Sequence, residues 1–291
     1  MRIIILTHDN DRHFYFCNEI IKNTNQVVGV ITGAKNKKLS KNKKKKIYKN
    51  HFFSILRNKL LNLIFFKSNK KLFDEKKYQE KLFFNNEKSF FSKNYNELVI
   101  AEYNESHDSI NDDYYVSLIR SKNPDVILVM GTCLLGKKII NSCKHVINMH
   151  TGLSPYYRGG WTNLFPIINK DFGFFGVTIH KMSTGIDSGD IIFTRRPNID
   201  ITDNYSSINC KAIVKGVELM IRTIELIKEN KMNSTKQWTK GRLFYGRSYN
   251  GFIAFLYFIK LKKFISRYCY LQDSNLLPRL TLIENGIKND Q

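Results

Sequence analysis

Acidic side chains are scarce in this sequence. Its 291 residues carry 25 Asp and Glu against 47 Lys and Arg, a formal charge of +22. The imbalance argues for an anionic partner or a negatively charged surface and carries no information about fold. A compositional bias toward Lys, Asn, Ile and Phe in the source genome accounts for it equally well. Cysteines are few: Cys17, Cys133, Cys143, Cys210 and Cys269 are odd in number, widely spaced and form no Cys-x-x-Cys pair. That pattern supports neither a zinc knuckle nor a disulfide framework, and it fits a reducing cytoplasm. Long apolar runs are also missing. The longest, "GFIAFLYFI" (251–259), is about half of the roughly 20 residues a spanning helix needs. It continues into "KLKKFISR", as expected for a buried helix with a basic outer face, with an interfacial helix as the other reading. "MRIIILTHDND" is too short and too quickly acidic for a signal peptide. Finally, "THDNDRHF" has no glycine where a dinucleotide fold needs its phosphate-cradling turn, which argues against an NAD or FAD site.

What is present reads as alternating strands and helices. Apolar residues make up 42% of the chain, enough for a packed core, and the length suits one large domain or two modest ones. "RIIIL" (2–6) is a short continuous apolar run of the kind buried on both faces of a sheet. A helix over 12–22 and a strand over 26–32 complete a β-α-β opening. Strands follow at 97–103, 124–131 and 145–149, with helices at 111–122 and 137–144 between them. This pace predicts an α/β fold: a Rossmann-like, mostly parallel sheet with helices on both faces. Residues 1–231 form the expected catalytic domain, with a basic helical insertion at 34–95, and 232–291 a short C-terminal extension. Within the insertion, "KNKKLSKNKKKKIYKN" reads as a solvated cationic run. In "HFFSILRNKLLNLIFFK", Phe52, Leu56, Leu60 and Ile64 recur at helical spacing. Such a stripe is expected to bury against the sheet. A basic amphipathic helix on an anionic membrane or on RNA, through Lys35–Lys71, is the alternative. In the segment after Pro197, Asp203 or Asn204 is the candidate cap. The stripe Ile208, Ala212, Val217, Met220, Ile224 and Ile227 marks a helix packed on the sheet.

The chemistry concentrates in "VINMHTGLSPYYRGG" (146–160). Side chains alternate along a strand, so Asn148 and His150 share a face while Met149 points away. Pro155, Gly159 and Gly160 then end the strand and fix a loop. Tyr156, Tyr157, Arg158, Gly159 and Trp161 give that loop flat faces and a guanidinium. Ligands of parallel sheets sit beyond the carboxyl ends of the strands, where this pair lies. Further on, "STGIDSG" is a tight turn carrying Asp187 between two strands. A carboxylate beside an imidazole raises its pKa and orients it, and an amide can donate to an oxygen gaining negative charge. No Ser or Cys nucleophile and no metal-ligand set accompanies the three, so direct acyl transfer is expected rather than a covalent enzyme intermediate.

At these residues the sequence resembles the formyltetrahydrofolate-dependent formyltransferases, which act on glycinamide ribonucleotide, methionyl-tRNA or nucleotide sugars. Asn148 and His150 match the family's Asn-x-His, "TGLSPYYRGG" its turn, and "GIDSGDI" its Asp turn, thirty-seven residues after the His. The match covers 124–197 well and the first strand-helix-strand less closely; the Lys-rich insertion and the chain beyond about 232 are outside it. The resemblance implies N10-formyltetrahydrofolate as co-substrate, no metal, and a pterin held by Gly131, Thr132, Cys133, Leu134 and Leu135 together with Gly185 and Ile186. It implies that Asn148 donates to the developing oxyanion, that His150 stabilises it and moves the amine proton, and that Asp187 holds His150 protonated. His180 is expected either to support these residues or to be structural.

The acceptor expected first is a nucleotide-activated amino sugar for lipopolysaccharide or O-antigen synthesis, since "GVTIHKM" and "YYRGG" look more like the amino-sugar branch than the purine branch. Tyr156, Tyr157, Arg158, Gly159 and Trp161 are then the substrate-binding residues, stacking on a base or pairing with a diphosphate. Initiator methionyl-tRNA is the second reading, favoured by charge and opposed by a C-terminal segment too short for the barrel those enzymes carry. A non-catalytic RNA- or membrane-binding protein on this fold is the third. A homodimer and a peripheral membrane location in the cytoplasm complete the expectations.

Overall fold

A computed structural model of the chain describes residues 1–34, 41–85, 97–104 and 109–290. The run Ile3–Leu6 is buried on both faces within β1 (Ile3–His8). Helix α1 (Asp11–Thr24) returns the chain to β2 (Val27–Ala34). Helices α2 (Lys41–Ile64) and α3 (Phe66–Phe84) precede β3 (Val99–Asn104). After α4 (Asp113–Ser121) come β4 (Val126–Val129), the single turn α5 (Lys137–Ile140) and β5 (His145–His150). Then follow β6 (Tyr157–Gly159), the short α6 (Phe165–Asn169), β7 (Val177–Lys181), β8 (Ile191–Arg195) and α7 (Tyr205–Lys228). Among the described residues seven strands form the main sheet, in the order β3-β2-β1-β4-β5-β7-β8. The first five are parallel; β7 runs antiparallel to β5, and β8 antiparallel to β7. The chain thus has the expected mostly parallel α/β architecture.

Alternation along the strands divides the core in two. Ile3, Ile5, Leu128, Ile147 and Met149 pack beneath α1 and α7. Ile4, Leu6, Ile127 and Val129 pack on the other face beneath α4 and α5. Each such side chain, fully buried, contributes about 1.5–3 kcal/mol. The anticipated stripe from Ile208 to Ile227 is buried along α7. Asn204 is the cap: its side-chain oxygen accepts from Ser207 N at 2.9 Å, and Ser207 Oγ accepts from Asn204 N at 3.0 Å.

The insertion departs from expectation. The part of the cationic run at 41–50 is helical and continuous with α2, which bends at His51 (φ −135°, ψ 22°); residues 35–40 lie outside the described ones. Phe52, Leu56, Leu60 and Ile64 are all more than half exposed instead of buried. The face of α2 that meets the protein is partly polar: beside the half-buried Ile55 and Leu61, Asn58 Nδ2 donates to Arg247 O (2.8 Å), and Asn62 Oδ1 accepts from Gly251 N (2.6 Å). Helix α3 is the half of the insertion that packs inward, burying Leu72 and Phe84.

Residues beyond 231 are woven into the rest. Strand β9 (Arg242–Phe244) pairs with β6 in parallel. Helix α8 (Gly251–Asp273) joins Leu72 of α3, Ile167 of α6 and Ile208 of α7 in a third cluster through Ala254, Tyr257 and Phe264. The hairpin of β10 (Thr281–Glu284) and β11 (Ile287–Asp290) lies beside β8, where Ile283 N donates to Thr194 Oγ1 at 2.7 Å.

Asn163, buried, ties the loop after β6 to the start of β7. Its amide donates to Gly176 O (3.0 Å) and its oxygen accepts from Gly176 N (2.9 Å). Asn163→Ala leaves two buried backbone groups unpaired, so a loss of about 2–4 kcal/mol is expected in urea unfolding. An unchanged midpoint would contradict this role.

Candidate active site

The antiparallel step from β5 to β7 builds the site. Its register sets Asn148 opposite His180 and His150 opposite Thr178. Three of these four side chains therefore come together on one face where β5 ends. His180 Nδ1 lies 2.8 Å from Lys181 O. A carbonyl only accepts, so Nδ1 carries the proton and Nε2 of the neutral ring accepts from Asn148 Nδ2 at 3.0 Å. That bond fixes the Asn148 amide and leaves its second N–H for a ligand.

The tight turn after β7 returns Asp187 onto both histidines. Asp187 adopts a left-handed conformation (φ 44°). A Cβ on Gly189 would stand 1.7 Å from Lys181 O, so only glycine lets the turn close this tightly. Asp187 Oδ2 lies 3.3 Å from His150 Nδ1 and accepts from Gly159 N at 2.9 Å, while Oδ1 lies 3.5 Å from His180 Nε2. Gln237, from the segment before β9, clamps the turn from behind by donating to Asp187 O (2.7 Å) and Gly189 O (2.9 Å).

Burial disfavours a charged Asp187. The positive charge available on His150, together with the hydrogen bond from Gly159 N and the nearby His180 ring, outweighs burial and holds the carboxyl far below the usual range. His150 is 7% exposed. Burial pushes its pKa below the ordinary 6.5; Asp187 pulls upward, and His180 and Arg158 add to the downward push. The expected effect of the carboxylate is present, but the net direction is down, because the imidazole sits in the interior. Its other nitrogen, Nε2, lies 3.2 Å from Tyr157 O. Each ring nitrogen therefore faces an acceptor. A neutral ring satisfies one of them and a protonated ring both, so the group is poised between burial and its partners.

Asn148, His150 and Asp187 line a cleft of about 560 Å³, within the usual range for small-molecule sites. All the residues anticipated for the co-substrate lie on its wall: Gly131, Thr132, Cys133, Leu134 and Leu135 from the turn after β4, and Gly185 and Ile186 from the Asp187 turn. Gly131 has φ 72° and approaches His13 so closely that a Cβ would meet its Nε2 at 2.5 Å.

The anticipated substrate residues divide. Gly159 and Trp161 line the cleft; Tyr156, Tyr157 and Arg158 do not. The Tyr157 ring is buried, stacks on Phe244 and donates its hydroxyl to Asp171. Tyr156 donates to Thr281 O at 3.1 Å and packs against Phe174 and Trp238. The pairing of β6 with β9 fixes the Tyr157 ring and the C-terminal hairpin fixes that of Tyr156, and what reaches His150 from Tyr157 is its carbonyl.

Several wall residues carried no sequence signal. Lys76, from α3 of the insertion, and Arg12, from α1, line the cleft with Tyr205 and Gly246. Arg12 pairs with Glu80 at 2.7 Å, and Lys76 lies 3.8 Å from the same carboxylate. Two cations thus share one acid. Burial and the Arg12 charge push the Lys76 pKa down. Its Nζ lies 5.8 Å from the Trp161 ring, which is stacked on Tyr249 at 4.0 Å.

The sequence model of the formyl transferase family matches residues 1–224. The chain belongs to the formyl transferase family. A methionyl-tRNA formyltransferase of Thermodesulfovibrio yellowstonii is 32% identical over 124 residues, 42% of this chain and 40% of that protein. One of Clostridioides difficile is 35% identical over 120 residues, 40% and 38% of the two. The matched segment spans about two fifths of the length of these curated relatives. Among solved structures, a 4-N formyltransferase from Francisella tularensis covers 100% of this chain and 96% of its own at TM-score 0.55 and 20% identity. A sugar N-formyltransferase from a Shewanella species covers 85% and 78% at 0.54 and 17%. An N-formyltransferase from Helicobacter canadensis, solved with folinic acid and dTDP-3-aminofucose, covers 86% and 73% at 0.51 and 17%. At such identities these structures share the fold of this formyl transferase family member.

Gly152 tests the packing around His150. A Cβ there would stand 2.6 Å from His150 Nε2 and 2.5 Å from Thr162 Oγ1. Gly152→Ala is expected to displace the imidazole from the Tyr157 carbonyl and to cost about 1–3 kcal/mol of stability. A variant structure with His150 unmoved and the melting temperature unchanged would contradict that packing.

Proposed function

We propose that the protein transfers the formyl group of N10-formyltetrahydrofolate to the primary amine of a nucleotide-activated amino sugar used in a surface glycan. The observation that carries this reading is the convergence of Asn148, His150 and Asp187, with His180 behind them, on a cleft walled by the two turns suited to a folate. The exposed side chain of Leu134 offers an apolar wall to a flat ring, and the backbone of 131–135 and 183–186 offers hydrogen-bonding groups at its edges. N10-formyltetrahydrofolate supplies the activated formyl group.

The chain's own residues supply the rest. The second N–H of Asn148 donates to the formyl oxygen as it gains negative charge, an interaction worth about 10²–10³ in rate for one such donor. His180 keeps that amide oriented. In this reading the resting proton of His150 is on Nε2, donated to the Tyr157 carbonyl, and Nδ1 takes the proton released by the attacking amine and holds it against Asp187 Oδ2. That proton is then available to the departing nitrogen. Because burial depresses its pKa, His150 is neutral at pH 7 and ready to accept. Arg12 and Lys76 provide positive charge for an acceptor diphosphate, and Trp161 and Tyr249 provide stacked rings beside them. The folate and nucleotide sugar held by the Helicobacter canadensis protein support this reading by analogy of fold.

The identities of 30–35% to methionyl-tRNA formyltransferases and the +22 charge favour a second reading, with initiator methionyl-tRNA as the acceptor. A panel assay of the purified chain with N10-formyltetrahydrofolate, nucleotide-linked amino sugars and charged initiator tRNA separates the two. Formyl transfer to a nucleotide sugar is expected, falling about 10²–10⁴-fold in His150→Ala, with an acid limb below pH 6.5. Transfer to the tRNA alone would establish the second reading, and no transfer to any amine would overturn both.

A further inference from the structure

The half of the insertion that leaves the cleft is built inside out. On α2, Phe53, Leu56, Leu60, Leu63 and Ile64 fall within one face about 100° wide at the helical period. Phe53 is 84% and Leu63 75% exposed, and the other three are more than half exposed. The opposite face, the one that meets the protein, holds Asn58 and Asn62 between the half-buried Ile55 and Leu61, and Phe65 follows directly after the helix. There Asn58 and Asn62 bond the chain around Arg247–Gly251, while the Phe65 ring lies 5.3 and 4.9 Å from those of Phe252 and Phe255 on α8. A helix that merely covered the domain would turn most of its large apolar side chains inward and its asparagines to water. This one keeps Ile55 and Leu61 half-buried beside the asparagines and leaves five other large apolar positions outside.

Charge says what the outer face meets. Exposed Arg57 and Lys59 flank the apolar strip on its two sides, and no Asp or Glu occurs between residues 35 and 73. The same chemistry recurs on α8. Exposed Ile259 and Tyr270 stand with Lys262, Lys263 and Arg267 around a shallow depression, and residues 251–272 contain no acid. Among the described residues no helix is long and apolar enough to cross a membrane. An apolar strip with cationic flanks and no acids fits the boundary between headgroups and acyl chains of an anionic bilayer. A second copy of this chain would set the basic flanks against themselves. RNA would neutralise the cations and leave the phenylalanine and leucines in water.

We propose that the outer face of α2 docks this protein on anionic phospholipid, with α8 adding positive charge. Docking also sets the cleft close to the lipid. Gly246 lines the cleft, and the next residue, Arg247, accepts the hydrogen bond from Asn58 of α2. The inference is independent of which amine is formylated.

Co-sedimentation of the full chain with vesicles tests it, comparing phosphatidylcholine alone with phosphatidylcholine containing phosphatidylglycerol. Binding is expected only with the anionic lipid, weakening as salt screens the charges. Leu60→Glu with Leu63→Glu is expected to lower partitioning by about tenfold or more, with melting temperature and soluble-substrate activity unchanged. Arg57→Gln with Lys59→Gln, which leaves the apolar strip whole, is expected to weaken binding to a smaller degree. Absence of wild-type binding, or equal binding to neutral vesicles, would overturn the proposal. So would a solution dimer that Leu60→Glu with Leu63→Glu dissolves without any vesicle binding, or retention of RNA in place of vesicles.

Discussion

One carboxylate shared by two imidazoles governs this structure. Asp187 lies 3.3 Å from His150 and 3.5 Å from His180, in an interior where a lone charge of either sign is unfavourable. Burial alone would neutralise both the acid and the base. Together they resist it in opposite ways. Asp187 stays ionised, and His150 stays close enough to neutrality to exchange a proton. Asn148, tied to His180, brings a polar donor to the same point without adding charge.

The surrounding fold is arranged to hold that contact. The antiparallel entry of β7 beside β5 sets His180 against Asn148 and turns the chain back at the end of β7 to bring Asp187 to both. The turn carrying Asp187 is short and left-handed, and it is fastened at both carbonyls by Gln237. The strand pair β6–β9 brings Gly159 N to the carboxylate and Tyr157 O to the imidazole. Residues 232–291, which carry no motif, thus help to brace the turn that carries Asp187. Residues of the insertion do likewise for the cleft wall, since Lys76 belongs to α3.

Local rules made part of this legible in the sequence. Strand alternation placed Asn148 and His150 on one face, a Gly-rich turn announced Asp187, and the periodic stripe of α7 announced its buried side. Other features depend on contacts distant in sequence, and local pattern misread them or passed over them. Tyr156 and Tyr157 look like a binding rim because aromatic and cationic residues cluster there, yet pairing with β9 buries the Tyr157 ring and the C-terminal hairpin holds the half-buried ring of Tyr156. Phe52, Leu56, Leu60 and Ile64 have core periodicity, yet the side of α2 that faces the protein carries Asn58 and Asn62 with Ile55 and Leu61. Periodicity tells which side chains share a face of a helix and not which way that face points. Gln237, Arg12 and Lys76 act through positions fixed by tertiary packing, and no spacing marks them. The net direction of the His150 pKa was equally hidden, because the sequence shows the carboxylate but not the depth of burial.

The coupling between Asp187 and His150 is most directly measured by nitrogen-detected NMR titration of the His150 imidazole in the wild type and in Asp187→Asn. The wild-type midpoint is expected below the ordinary histidine value of 6.5, and it should fall further when the carboxylate that pulls it upward is removed. A midpoint above 6.5 in the wild type, or one that stays in place or rises in Asp187→Asn, would contradict a buried base steadied by that acid.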